Sequence, residues 1–325
     1  MLDGTALASL GAKESVTATE KPAQLRVVSG RSAGMFADAL ANALGVESER
    51  MRVERFANEN LLCGAAHLGL EGAEVVYVQT SCAPVNEHLV EALFSLDAIR
   101  AAGPRRLTAV LPYLPYARSD RAEAPEGPVQ ARLVADLLER AGAQRIVAFD
   151  LHSEQLAGFF RVPVLQLSAQ HALISAVRRW QLPDLVIASP DLGGAKRAGA
   201  AASMLGVPLI LFRKQRRGSE VTSELLGEVA GRSVVIFDDE IATGGTMIAA
   251  ARVALERHAR AVCAVATHAV LAGDVLARLA RVGLERVLVT DTVPGRERGH
   301  AKLEVVSVVP ELAEALARRA PGGTR

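Results

Sequence analysis

The sequence has little with which to cross-link itself, cage a metal in sulfur or attract a polyanion over its whole surface. Three cysteines occur, Cys63, Cys82 and Cys263. They lack C-x-x-C spacing, which argues against a disulfide framework or zinc cage and points to a reducing compartment, the cytoplasm. The formal net charge is +1, and no long run of one sign appears, so the basic excess of a general nucleic-acid binder is missing. A run of about 18 apolar residues, enough to span a membrane, is also missing. The opening stretch, MLDGTALASLGAKESVTATE, has no basic segment leading into an apolar core, so residues 1–24 read as a disordered tail rather than a signal peptide. The closing RRAPGGTR has the composition of a frayed terminus. Neither a Gly/Ser- or Pro-rich linker nor a short tandem repeat interrupts the chain.

What is present is a long chain with ample apolar material: 325 residues, 50% hydrophobic, suit two domains with full-sized cores. Short Val/Ile/Leu-rich runs recur between helical patterns, beginning at Leu25, Val75, Leu107, Arg145, Leu185, Leu209, Val234, Val262 and Arg286. That rhythm predicts an α/β fold with two mostly parallel sheets, each flanked by helices. Pro128 opens a predicted crossover helix whose Val129, Leu133, Val134, Leu137 and Leu138 share one face. The pattern turns irregular between Leu165 and Gln181, which puts the division at residues 25–168 and 169–308. Residues 309–325 are left as a closing helix and tail.

The segment VVIFDDEIATGGTMIAA, from Val234 to Ala250, carries the most chemistry. An apolar strand delivers Asp238 and Asp239 at its carboxyl end, where they can meet sugar hydroxyls or hold Mg²⁺ through water. Thr243, Gly244, Gly245 and Thr246 let the backbone approach a phosphate, whose charge rests on the N–H groups and positive dipole end of the following helix. This string resembles the phosphoribosyl-diphosphate signature of the type I phosphoribosyltransferase superfamily, in which the acids meet the ribose hydroxyls and the turn holds the 5-phosphate.

Further blocks narrow the resemblance. RFANEN (Arg55 to Asn60), VQTSCAPVNEHLVEAL (Val78 to Leu93), LPYLPYARSDR (Leu111 to Arg121), FDLHSEQLAGFF (Phe149 to Phe160), SPDLGGAKRA (Ser189 to Ala198) and TDTVP (Thr290 to Pro294) follow one another as in ribose-phosphate diphosphokinase. The resemblance covers about Leu25 to Arg318. It implies two phosphoribosyltransferase-like domains, the first on the ATP side and the second on the ribose 5-phosphate side. It also implies transfer of the diphosphoryl group of MgATP to the anomeric hydroxyl of ribose 5-phosphate, with release of AMP.

Each assignment to a residue follows from the same resemblance. Lys214 and Arg216, in the polar stretch FRKQRRGSE from Phe212 to Glu220, correspond to the cations of a catalytic flexible loop. His152 and Asp191 correspond to a metal-holding pair, with His152 also catalytic and Asp191 also in the ribose 5-phosphate region, bordered by Gly193, Gly194, Lys196 and Arg197. Arg118, Ser119 and Asp120 fall in the ATP block. Phe56, Asn58 and Asn60 fall on a loop that reaches the adenine of a neighbouring subunit, which implies a homo-oligomer, dimer or hexamer. Phosphoryl transfer needs Mg²⁺ and positioned cations more than covalent chemistry, so this set of residue types suits it.

The departures are specific. The adenine loop, usually F-x-D-G-E, is FANEN; Ser119 stands where glutamine is usual, Ala242 where aspartate is usual, and the family's aromatic ending is missing. Asn offers both donor and acceptor to a base, so a reader of adenine survives in principle. A regulatory paralogue without activity and a phosphoribosyltransferase acting on a base are the alternatives.

Overall fold

The computed structural model describes residues 24–124, 126–217, 220–295 and 300–318, with the backbone alone for residues 214–217 and 220–223. The expected tails at residues 1–23 and 319–325 lie outside the described residues. The first part of the chain runs β1 (Leu25–Ser29), α1 (Gly34–Leu44), β2 (Ser48–Arg50), β3 (Arg52–Arg55), β4 (Leu61–Gly64), β5 (Glu74–Val78), α2 (Val85–Ala101), β6 (Arg106–Val110), α3 (Gln130–Ala141), β7 (Arg145–Phe149), β8 (Val164–Leu167) and α4 (Gln170–Arg179). The second part runs β9 (Leu185–Ser189), α5 (Ala195–Leu205), β10 (Leu209–Arg217), β11 (Glu220–Leu226), β12 (Ser233–Glu240), α6 (Gly245–Glu256), β13 (Ala261–His268), α7 (Val275–Val282), β14 (Arg286–Thr290), β15 (Leu303–Val306) and α8 (Val309–Ala317).

Two sheets result, ordered β2-β1-β5-β6-β7-β8 and β11-β10-β9-β12-β13-β14-β15. Every pairing in them is parallel except β10 with β11. The central strands are almost wholly buried and largely apolar before their carboxyl ends, as strands covered on both faces by helices must be. All nine strands expected from composition are present.

The cores are not two separate ones. Phe36 and Leu40 of α1, Leu173 and Val177 of α4, Ala198 of α5 and Leu312 of α8 pack in one cluster with residues from both sheets, among them Val27, Val147, Ile187 and Val235. The middle layer of helices is therefore shared, and the sheets are held by a common apolar filling. A second cluster lies under α2 and α3 on the outer face of the first sheet, and a third under α6 and α7 on the outer face of the second.

Three local expectations change. The region taken as irregular holds β8 and α4, whose Leu173, Ile174 and Val177 are buried in the shared core. The helix expected from Pro128 starts at Gln130 and buries Ala131, Val134, Ala135 and Leu138. Leu133 and Leu137 point outward, 60% and 39% exposed, because the buried face is the neighbouring one that carries the two alanines. Finally, the basic stretch after Phe212, expected as a flexible loop, has regular backbone as far as Arg217. Its backbone continues β10 and pairs antiparallel with β11, a strand carrying β-branched Val221 and Thr222.

Candidate active site

In doubly wound sheets, ligands settle beyond the carboxyl ends of strands where the strand order reverses. The second sheet reverses between β9 and β12, because β10 lies on the other side of β9. The carboxyl end of β9 leads to Asp191, and that of β12 carries Asp238 and Asp239. A cleft of about 830 Å³ opens there. Arg118 and Asp120 line it together with His152, Asp191, Asp238 and Asp239. Thr243, Gly244, Gly245 and Thr246 line it as well, so residues far apart in sequence converge.

The turn from Thr243 to Thr246 is built by backbone. Gly244 sits at the head of α6 with φ of 72°, and no side chain caps the helix. The first N–H groups of α6 are thus left for an anion, at the positive end of the helix dipole. Arg278 Nη1 donates to the Thr243 carbonyl at 3.1 Å and braces the turn from behind. Asp191 Oδ1 accepts the Gly194 N–H at 3.1 Å, which shapes the turn after β9.

The two acids of β12 are electrostatically unlike. Burial pushes Asp239 upward, but its hydrogen bond with His152 and the nearby Arg197 guanidinium outweigh that and hold it well below the usual carboxylate range. His152 Nδ1 lies 2.7 Å from Asp239 Oδ2, and Arg197 Nη1 lies 3.5 Å from Asp239 Oδ1. Reciprocally, the Asp239 hydrogen bond raises His152 against the effect of burial. Asp238 goes the other way: burial and the adjoining Asp239 charge push it well above its ordinary value. One acid is a committed acceptor, and the other is inclined to carry a proton.

Among the described residues no three His, Cys, Asp or Glu side chains cluster closely enough to hold a metal by themselves. Mg²⁺ does not need that, since it keeps several waters and is bound by one or two protein groups plus substrate phosphates. His152 and Asp191 border the same cleft, and Asp239 engages Nδ1 of the histidine, leaving Nε2 as the nitrogen available to a ligand. The donor set fits.

Phe56, Asn58 and Asn60, expected to serve a neighbouring subunit, lie at the tip of the β3–β4 hairpin, outside the lining of this cleft, and Phe56 is 50% exposed. Asn58 Oδ1 accepts the Asn60 N–H at 3.3 Å, closing the tip on itself. Ser119 does not line the cleft; its carbonyl accepts the Ala131 N–H at 3.1 Å at the head of α3. The side chains of Lys214 and Arg216 lie outside the described residues. Their backbone belongs to β10, which pairs with β9 only as far as Leu211 and then continues as a two-stranded ribbon with β11. That ribbon leaves the sheet at the carboxyl end of β9, the cleft side.

Composition and spacing missed several groups. Asp150, with φ of 32°, accepts from Thr267 Oγ1 at 2.7 Å and from the Ala169 N–H at 2.9 Å, fixing the strand end before His152 to the second sheet. Glu240, directly after the paired acids, bonds to Arg118 and Tyr113 in the loop between β6 and α3; its place in the DDE string was the available signal. At the reversal of the first sheet, between β1 and β5, the fully buried Glu91 carboxylate accepts the Arg31 main-chain N–H and Arg31 Nε, both at 2.7 Å. The first sheet thus fills with its own carboxylate the kind of place that the second leaves open.

Sheets wound in this way, with paired acids and an amide-lined turn at the reversal, define the phosphoribosyltransferase-like class of α/β proteins. Comparison with known proteins narrows it. Residues 25–142 match the family model of the N-terminal domain of ribose phosphate pyrophosphokinase, and residues 194–322 match that of the phosphoribosyl synthetase-associated domain. The chain is 37% identical over 298 residues to the ribose-phosphate pyrophosphokinase of Helicobacter hepaticus, covering 90% of this chain and 95% of that one. It is 39% identical over 300 residues to that of Parasynechococcus marenigrum, covering 91% and 90%. The crystal structure of phosphoribosylpyrophosphate synthetase from Mycobacterium smegmatis superposes with a TM-score of 0.85 at 36% identity, covering 91% of this chain and 98% of that one. The chain belongs to the ribose-phosphate pyrophosphokinase family. Among the described residues no helix is long and apolar enough to cross a membrane.

Proposed function

We propose that this chain transfers the diphosphoryl group of MgATP to the anomeric hydroxyl of ribose 5-phosphate, giving 5-phosphoribosyl 1-diphosphate and AMP. The observation that carries the reading is the convergence, in one cleft, of the sugar-phosphate turn and acids of β12 with the ATP-block residues Arg118 and Asp120. A phosphoribosyltransferase acting on a base would need no ATP block. Relatives named for diphosphokinase activity match both halves of the chain.

The roles divide by chemistry. The Thr243–Thr246 turn and the head of α6 receive the 5-phosphate. Asp239, ionised, accepts from a ribose hydroxyl, while Asp238 can donate to its neighbour. Arg118 and Asp120 receive the nucleotide, with the Arg118 guanidinium suited to phosphate oxygens. Lys214 and Arg216 are read as cations that meet the transferring group from the β10–β11 ribbon. Mg²⁺, when bound at His152 and Asp191, neutralises phosphate charge.

The chain is read as an ATP-side domain, residues 25–168, and a ribose 5-phosphate-side domain, residues 169–308. Residues 309–325 are read as a helix that returns to the first, with a tail; the packing of α8 with α1 supports the return of the helix. A homo-oligomer is supported by the solvent-facing Val90 and Phe94 of α2 and Leu133 and Leu137 of α3. Phe56, Asn58 and Asn60 would then serve a neighbour's adenine. Three free cysteines suit a cytoplasmic setting.

The test is phosphorus NMR of a mixture of purified protein, ribose 5-phosphate and MgATP. Loss of ATP matched by AMP and a sugar-linked diphosphate is expected. Unchanged ATP under those conditions, with inorganic phosphate added, would overturn the reading.

A further inference from the structure

Glu240 stands next to the sugar-facing acids, yet its carboxylate reaches across to the loop that follows β6. Oε1 accepts from Arg118 Nη1 at 3.0 Å, and Oε2 accepts from the Tyr113 hydroxyl at 2.8 Å. The Glu240 side chain is 7% exposed, whereas that of Arg118 is 62% exposed and lines the cleft. Tyr113 is steadied from its other side by the His268 ring, 4.6 Å away between centroids, and His268 Nδ1 lies 2.9 Å from Thr292 Oγ1. Burial and the Glu240 charge raise the Tyr113 hydroxyl, so it keeps its proton and donates.

We infer that Glu240 is a positioning residue for the transfer, holding the Arg118 guanidinium in register with Asp238 and Asp239 so that the ATP phosphates meet the bound sugar. The inference rests on the reading of Arg118 as a cation for those phosphates. An ion pair this exposed on the arginine side adds little to stability. Its value is orientation: a held guanidinium loses less rotamer freedom on binding phosphate, and misplacement by roughly 1 Å can cost roughly a hundredfold in rate.

A competing effect has the opposite sign. Glu240 also brings negative charge toward an incoming polyanion, so charge alone predicts that its removal tightens ATP binding. Geometry and charge are separated by two substitutions. In Glu240→Gln the carboxamide oxygen can accept from Arg118 while the amide donates to the Tyr113 oxygen, so the held arrangement survives without the charge. In Glu240→Leu neither bond survives.

The experiment is steady-state kinetics of the full chain with each substrate varied, alongside thermal unfolding. Glu240→Leu is expected to raise the KM for MgATP about tenfold and lower kcat, with the KM for ribose 5-phosphate within twofold of the parent. Glu240→Gln is expected to restore most of the activity. A lower KM for MgATP in both variants, or equal losses in Gln and Leu, would overturn the inference, as would a parallel rise in both KM values. Arg118→Ala is the control on the underlying reading: an unchanged KM for MgATP there would sink that reading and the inference together. A raised one beside an unaffected Glu240→Leu would sink the inference alone.

Discussion

Gly244→Ala tests the sugar-phosphate turn with a magnitude that can be worked from the structure. Gly244 has φ of 72°, a left-handed conformation that costs a residue with a Cβ roughly 1–2 kcal/mol. An alanine Cβ there would also overlap Val275 Cγ2. Val275 is 1% exposed and packed in the cluster with Met247 and Leu279, so it has little room to retreat; overpacking of this kind costs roughly 1–3 kcal/mol. The sum is about 2–5 kcal/mol, taken either as lost stability or as withdrawal of the turn from its phosphate position. Lost stability appears as a lower Tm, and withdrawal as a higher KM for ribose 5-phosphate at saturating MgATP. Both are to be measured for Gly244→Ala, Val275→Ala and the double variant. Truncating the buried Val275 has its own cost, so the added alanine is judged against Val275→Ala: there it should keep only the left-handed contribution and cost less than it does in the parent. Parent-like values of both quantities in Gly244→Ala would refute the reasoning, and an equal cost of the alanine in both backgrounds would refute the role of Val275.

Three further outcomes are expected. Lys214→Ala should lower kcat sharply with ribose 5-phosphate affinity nearly unchanged, because its contact strengthens as charge develops on the transferring group; a loss confined to sugar binding, by titration calorimetry, would contradict this. Asp239→Ala should weaken ribose 5-phosphate binding by removing the acceptor that His152 and Arg197 hold ionised, and a normal KM for the sugar would rule that role out. Glu91→Ala should destabilise the fold by roughly 3 kcal/mol, since it strips the Arg31 N–H and guanidinium of a fully buried partner; thermal unfolding at an unchanged Tm would count against it.

Much of this was legible in the residues. Buried parallel strands are written as continuous apolar runs, so the nine central ones could be read without tertiary knowledge. The string from Val234 to Ala250 named its own chemistry because strand end, acids, turn and helix are contiguous. What escaped lies at edges and across the junction. β2, β3, β4 and β15 are three or four residues long, too short for periodicity to register. The α3 face was misjudged because the large Leu133 and Leu137 outweighed Ala131 and Ala135, the residues that are actually buried. The shared middle layer could not be seen, because α1, α4, α5 and α8 meet only through the packing of one sheet against the other. The links of Glu240 to Tyr113 and Arg118 span more than a hundred positions of chain, which no local pattern encodes.

The central claim is that the anomeric oxygen of ribose 5-phosphate attacks the β-phosphorus of ATP. The most direct measurement carries a heavy-oxygen label in the anomeric hydroxyl, uses reaction times short against its exchange with water, and locates the label by mass spectrometry of both products. The sugar diphosphate is expected to retain the label, as the oxygen bridging carbon and phosphorus, with none in AMP. Loss of the label from the sugar product, with unreacted sugar still labelled, would mean that the bond at carbon had broken instead and would rule out attack by the anomeric oxygen.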